Sequence, residues 1–323
     1  MKTDALATIL KKSRNPGCVT QYLPLGEIDM QKPFLPEDWT QLYYTEIYFT
    51  LTDQQRLRYN QLFGGRINEF IMMLESDIVD FFLKPLISNR RVQKIPELAA
   101  CLKVMIEEEE RHYQMFQTLN RKCLPAVYQG KPDRQFTALP MGATWLIKLL
   151  RFSASLLPFP IWFVMVMEEE AIDLARSMRQ NPRTETLGEL DPVFSAVHHE
   201  HRKDEGRHIV IDKYLAEACL SRGSSIARKL NAFLFKKMIK AMTSVGKSGP
   251  GAKVLNQLLV EHPELEPRKA ELFQALLSLD SNARYKASIF NRRGAALSFQ
   301  LFDDVPEFAD LGKVMVGYER TEN

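Results

Sequence analysis

Two short stretches of this chain repeat the same arrangement, and together they restrict the fold more than any other feature. Glu108-Glu109-Glu110-Arg111-His112 and Asp204-Glu205-Gly206-Arg207-His208 both read acid-Glu-x-Arg-His. A lone glutamate precedes each at nearly equal distance: Glu75 stands 34 residues before Glu109, and Glu170 stands 35 before Glu205. Glu and His three apart share one helix face. On each helix that face is otherwise apolar, as Leu98, Leu102, Met105, Phe116 and Leu119 show around the first motif. Phe163, Val166, Met167 and Leu174 flank Glu170, and Phe194, Val197, Ile211 and Leu215 bracket the second motif. A carboxylate on a core-facing stripe is costly unless it is paired or binds a metal.

The pattern predicts an all-α chain with a ferritin-like four-helix bundle core and additional flanking helices. Each helix pair supplies one Glu and one Glu-x-x-His, the inventory of four-helix di-iron and di-manganese carboxylate proteins. Thr52 and Gln55 form a capping-box pattern, so the first helix starts there and is expected to run past Ile78 and Phe82, ending before Pro85. Prolines suited to a first turn open the next three helices near Pro96, Pro160 and Pro192. Residues 1–50, with Pro16, Pro24, Pro33 and Pro36, read as an irregular lead-in packed on the body. Residues 51–323 read as a single helical di-metal domain, its core bundle at about 52–220 and its C-terminal helices at about 224–310.

Composition narrows the class. At 45% hydrophobic and 26% charged, the chain is ordinary for a globular protein. A net charge of +3 gives no ground for a nucleic-acid partner. The stretch Ala143–Met167 is rich in Leu, Ile, Phe and Trp, but Lys148, Arg151, Pro158 and Pro160 divide it. It is read as two buried helical pieces and not as a membrane span. Cys18, Cys101, Cys123 and Cys219 are scattered, which argues against a thiolate metal site or a disulfide framework and for a reducing cytoplasm. The basic run from Arg228 to Lys247 reads as a solvated helix face.

Histidine usage sharpens the metal reading. Of six histidines, five lie in the two motif segments, and only His262 stands apart. Mixed carboxylate and imidazole donors suit iron, or manganese, over zinc in a thiolate site. Two assignments have competitors. Glu69 competes with Glu75 but would lengthen the first spacing to 40. In the run Glu168-Glu169-Glu170 the matched spacing favours Glu170 over Glu169, and the remaining glutamates are expected beside the ligands or facing solvent. Glu108 and Asp204 are candidates to hold the uncoordinated nitrogen of the opposite half's histidine.

His201 adds an element that a plain ferritin-like site lacks. It lies one turn before Glu205, within roughly 10 Å of helix shared with His208. With Glu75, Glu109, His112, Glu170, Glu205 and His208, it makes residues 55–220 resemble the p-aminobenzoate N-oxygenase family, which includes arylamine oxygenases. The resemblance implies a non-haem di-iron centre with His201 as the seventh ligand. It also implies dioxygen as co-substrate, an external electron donor, and oxidation of an amine in a biosynthetic pathway. The implied partners are a small-molecule amine or other organic substrate, free or carrier-borne, and an electron-donor protein or reductant; a homodimer is compatible. The ligands alone leave C–H hydroxylation, desaturation or oxidative chain cleavage open. A radical-generating subunit is disfavoured, because Phe116 stands one turn after His112 where a tyrosine would be needed. Non-catalytic metal storage would require a large cage. The pocket is expected among Met72, Met105, Phe116, Phe163 and Met167.

Overall fold

The computed structural model describes residues 4–21, 25–138, 156–220 and 224–318. Among these residues no strand forms, and the β-type contact present is an isolated bridge between Arg183 and Glu189. Helix α1 spans Asp53–Met73 and begins as its capping box requires. Thr52 Oγ1 accepts from the Gln55 amide at 3.3 Å, and Gln55 Oε1 accepts from the Thr52 amide at 3.0 Å.

The helix does not end before Pro85. From Leu74 to Leu83 its ladder widens to the π form, and an α turn follows over Lys84–Ile87. The change of ladder puts Pro85 in a first-turn position, where its missing N–H is not needed. π stretches are uncommon and often mark functional sites. This one carries Glu75.

Helices α2 (Pro96–Cys123), α3 (Pro160–Gln180) and α4 (Pro192–Cys219) each open on the expected proline. Asp191 caps α4 by accepting from the Phe194 amide at 2.7 Å. Helix α3 packs along α4, α1 against α2, and α2 against α4. Of the stretch Ala143–Met167, residues 143–155 lie outside the described residues; Pro160–Met167 is helical and buried. Among the described residues no helix is long and apolar enough to cross a membrane.

The apolar interior falls into two clusters with a polar layer between them. Met105 of α2, Met167 of α3 and Ile211 of α4 belong to one; Phe116, Leu174 and Val197 of the same helices belong to the other. Burying each large apolar side chain contributes about 1.5–3 kcal/mol, which lets the bundle hold a costly polar layer in place.

The flanking elements close this body. Helix α5 (Ser225–Thr243) buries Ala232, Phe235 and Ile239, while Lys236 binds Asp310 Oδ1 at 2.6 Å. The basic run is therefore partly tied down and not only solvated. Helices α6 (Pro250–Glu261), α7 (Lys269–Ser278) and α8 (Ala296–Asp303) follow. The described residues among the first fifty are mostly irregular or in four short 3-10 turns, but they also contain a helix, Asp4–Lys12, that the irregular reading missed. Its buried Leu6 and Ile9 pack it against α2.

Candidate metal centre

Six of the seven residues expected to bind metal converge in the polar layer. Glu109, His112, Glu205 and His208 bring donor atoms within 4.8 Å of one another, and so do Glu75, His112 and His201. The two motif histidines face the cluster through Nδ1. His112 Nδ1 lies 3.4 Å from Glu109 Oε2 and 3.4 Å from Glu205 Oε1. His208 Nδ1 lies 3.2 Å from Glu109 Oε1 and 3.8 Å from Glu205 Oε2. Each motif glutamate thus turns one oxygen to each histidine. His201 Nε2 joins the His112 side, 2.8 Å from Glu205 Oε1 and 3.2 Å from Glu75 Oε1.

Glu170 is not brought to the cluster. The residue of that run which arrives there is Glu168, with Oε1 3.9 Å from His208 Nδ1. Glu169 accepts from the Leu297 and Ser298 amides at 2.8 and 2.6 Å, capping the start of α8. Glu170 sits instead by Asp173 and Gly294, where burial and Asp173 raise its carboxyl to about 8. The matched spacing misled because the two helix pairs are joined by different connections. Val164, Met167, Glu168 and Ala171 form the α3 stripe facing the centre, but every residue from Ile161 to Met167 is apolar, so that stripe could not be resolved beforehand.

Glu69, the competitor of Glu75, has a different task. Its carboxylate accepts from the amides of Gln135, Phe136 and Thr137 at 2.7–2.8 Å and from the Tyr128 hydroxyl at 2.7 Å. Tyr113 gives its hydroxyl to Asp133 at 3.3 Å, and Phe116 packs edge-on against His201. His198 is buried between Phe116 and Phe194 with neither ring nitrogen hydrogen-bonded.

Contacts behind the histidines cross between the two halves. His112 Nε2 lies 3.0 Å from Asp204 Oδ2, and His208 Nε2 lies 2.9 Å from Glu108 Oε2. A proton on each Nε2, donated to these carboxylates, leaves Nδ1 free as an acceptor facing the cluster. Arg207 donates to Glu108 at 2.7 Å and also to Asp204, binding the two supports together. Its counterpart Arg111 is half-exposed and no closer than 3.8 Å to Glu108. The lead-in seals this side: Thr20 donates its amide to Asp204 at 3.0 Å, and Arg207 donates to the Cys18 carbonyl.

Whether the residues suit metal ions can be judged from their unmet needs. Both oxygens of Glu75 and Glu168, Glu205 Oε1, and Nδ1 of His112 and His208 are buried without a hydrogen bond. Each such atom costs about 1–3 kcal/mol, more when charged. Their convergence on one layer, with only oxygen and imidazole donors, fits two divalent cations of the iron or manganese type.

Protonation shows the same demand for positive charge. Burial pushes the Glu75 carboxyl up to about 7 against the pull of His201 and His112. Burial would lower His201, yet Glu205 and Glu75 hold it up at about 10. Burial and Asp212 push Glu168 well above the carboxylate range. Burial opposes ionisation of Glu109, but His208 and His112 hold it below the usual range. Protons thus occupy places from which a bound cation would expel them.

A cavity of about 40 Å³ opens on the cluster. Glu75, Glu109, Glu168, His201 and Glu205 form its polar floor, and Ile71, Leu74, Ile78, Val79 and Val164 are among its walls. Of the residues expected to line it, Met167 does so; Met72, Met105, Phe116 and Phe163 are buried in the apolar clusters. Sequence reasoning also missed Asp212, wholly buried one turn after His208. The stripe His201, Glu205, His208, Asp212, with spacings of four, three and four, carried the signal.

No match to a curated protein was found. Residues 21–263, about three quarters of the chain, match the family model described as P-aminobenzoate N-oxygenase AurF. The chain belongs to this family of di-iron N-oxygenases and is accordingly an oxidoreductase.

Proposed function

We propose that this protein is a di-iron monooxygenase that transfers one oxygen atom from dioxygen to the nitrogen of an amine. The supporting observation is the way Glu109 and Glu205 each present one oxygen to the His112 side and one to the His208 side. Glu75, His112 and His201 would hold a first ion, and Glu168 and His208 a second, with Glu109 and Glu205 shared. Two ferrous ions bound there would supply electrons and open coordination positions for dioxygen chemistry.

The net reaction for a primary amine takes R–NH2, dioxygen, two electrons and two protons to R–NHOH and water. An external donor supplies the electrons. The chain's own contribution is arrangement. Asp204 and Glu108 fix the tautomers of His112 and His208, and Arg207 fixes both carboxylates. The apolar wall from Ile71 to Val79 keeps water from the carboxylate floor.

The test is anaerobic loading with ferrous iron, addition of isotopically labelled dioxygen, and a product-mass screen of amines against matched non-amines. One labelled oxygen on nitrogen is the expected product. Labelled oxygen appearing only on carbon, across all substrates that react, would overturn the assignment to nitrogen.

A further inference from the structure

Three carboxylates buried elsewhere in this protein are each met by donors. Glu69 receives three amides and a tyrosine hydroxyl. Glu37 receives Tyr48 and both the amide and hydroxyl of Thr186. Asp191 receives the amides of Asp29 and Phe194. Asp212 is different: its exposure is 0%, and neither of its oxygens has a hydrogen-bond partner. It lies on the same face of α4 as His208, in reach of Glu168, whose two oxygens are also unmet. Two buried carboxyl groups in contact, with no other donor to either, need a proton shared between them or a cation in its place.

We propose that Asp212 is a further carboxylate ligand of the second metal ion, completing with Glu168 and His208 a set that mirrors Glu75, His112 and His201. Helix α4 then serves the ions from opposite ends: His201, one turn before Glu205, adds an imidazole to the first, and Asp212, one turn after His208, adds a carboxylate to the second. The first ion is nitrogen-rich and the second oxygen-rich. Such a difference in donor type gives the two ions unequal affinities and unequal spectra.

The inference rests on reading the cluster as a two-ion centre, and the experiment separates the two. Wild-type protein and Asp212→Asn are loaded anaerobically with iron-57, their iron is counted and titrated, and Mössbauer spectra are recorded. Wild type is expected to bind two irons and show two distinct quadrupole doublets. Asp212→Asn keeps the side-chain shape, and is expected to weaken one iron by about 10- to 100-fold and change one doublet only. Metal-free Asp212→Asn should melt no lower than metal-free wild type, because the Asn amide can donate to Glu168 and relieves the crowding of two buried carboxyl groups. His201→Asn should alter the other doublet. Unchanged affinity and spectra in Asp212→Asn would overturn the proposal, as would equal weakening of both irons with a lower metal-free melting point. Fewer than two irons in wild type would overturn the two-ion centre itself.

Discussion

On the α1 side of the centre stand Glu75, His112 and His201; on the α3 side stand Glu168, His208 and Asp212. Two motifs of the same form supply the shared frame: Glu109 and Glu205 between the sides, and Asp204 and Glu108 behind the histidines. Differences enter through residues outside the motifs. One is a helix whose ladder widens over Leu74–Leu83 and delivers Glu75; its opposite, α3, remains α-helical and delivers Glu168. The other is a single turn of α4 at either end. A repeated motif can therefore build a centre whose two positions are chemically unlike, with the inequality held by a few neighbouring side chains.

The largest effects should come from the shared frame. Replacing Glu109 or Glu205 by Ala removes a donor from both sides, so iron content should fall below one per chain, with turnover at least about 1,000-fold lower. Metal analysis and oxygen uptake check this; retention of two irons would show that neither glutamate is shared. Next comes the contrast within the α3 run. Glu168→Gln should lose the second iron and reduce turnover by about 100-fold or more, whereas Glu170→Gln should retain two irons and change turnover by no more than a few-fold. The reverse result would return the ligand role to Glu170 and break the comparison between sides.

Legibility in the sequence followed the same division. The helices, their proline starts and the Thr52 cap were readable because local patterns determine them. The α1 side was readable because Glu75 interrupts an apolar stripe with few competitors. The α3 side was not: three consecutive glutamates follow seven apolar residues, and only the packing of α3 on α4 decides which glutamate turns inward. The π stretch left no trace either, since its ladder depends on tertiary packing and not on a local residue signal. Apart from its spacing after His208, Asp212 carries no mark in the sequence that sets it apart from other charges on a long helix; its burial and unmet oxygens are properties of the packing.

A smaller effect should follow from the residues behind the histidines. Glu108→Gln and Asp204→Asn should each weaken iron by about 10- to 100-fold without abolishing binding. Asp204→Asn acts on His112 and Glu108→Gln on His208, so titrations of the two variants should show the loss at different ions. Loss of the same ion in both would show that the crossing between halves does not govern affinity.

Glu69 and Glu75 offer the gentlest comparison, two buried glutamates about two turns apart in one continuous helical run with opposite circumstances. Glu69 is fully met by Tyr128 and the amides of residues 135–137, so Glu69→Gln should cost about 1–3 kcal/mol through amides left facing an NH2 group. For a chain of this size that is a fall of several degrees in melting temperature, on the order of 2–4 °C per kcal/mol. Its iron content should remain at two. Glu75 has His201 as its nearest partner, at 3.2 Å, and no amide donors, so Glu75→Gln should lower the metal-free melting temperature less than Glu69→Gln does and weaken the first iron instead. Melting curves and iron titrations on the same two variants check both halves. A Glu69→Gln protein that melts normally but loses iron would show that the donors around Glu69 serve the centre and not the loop they hold.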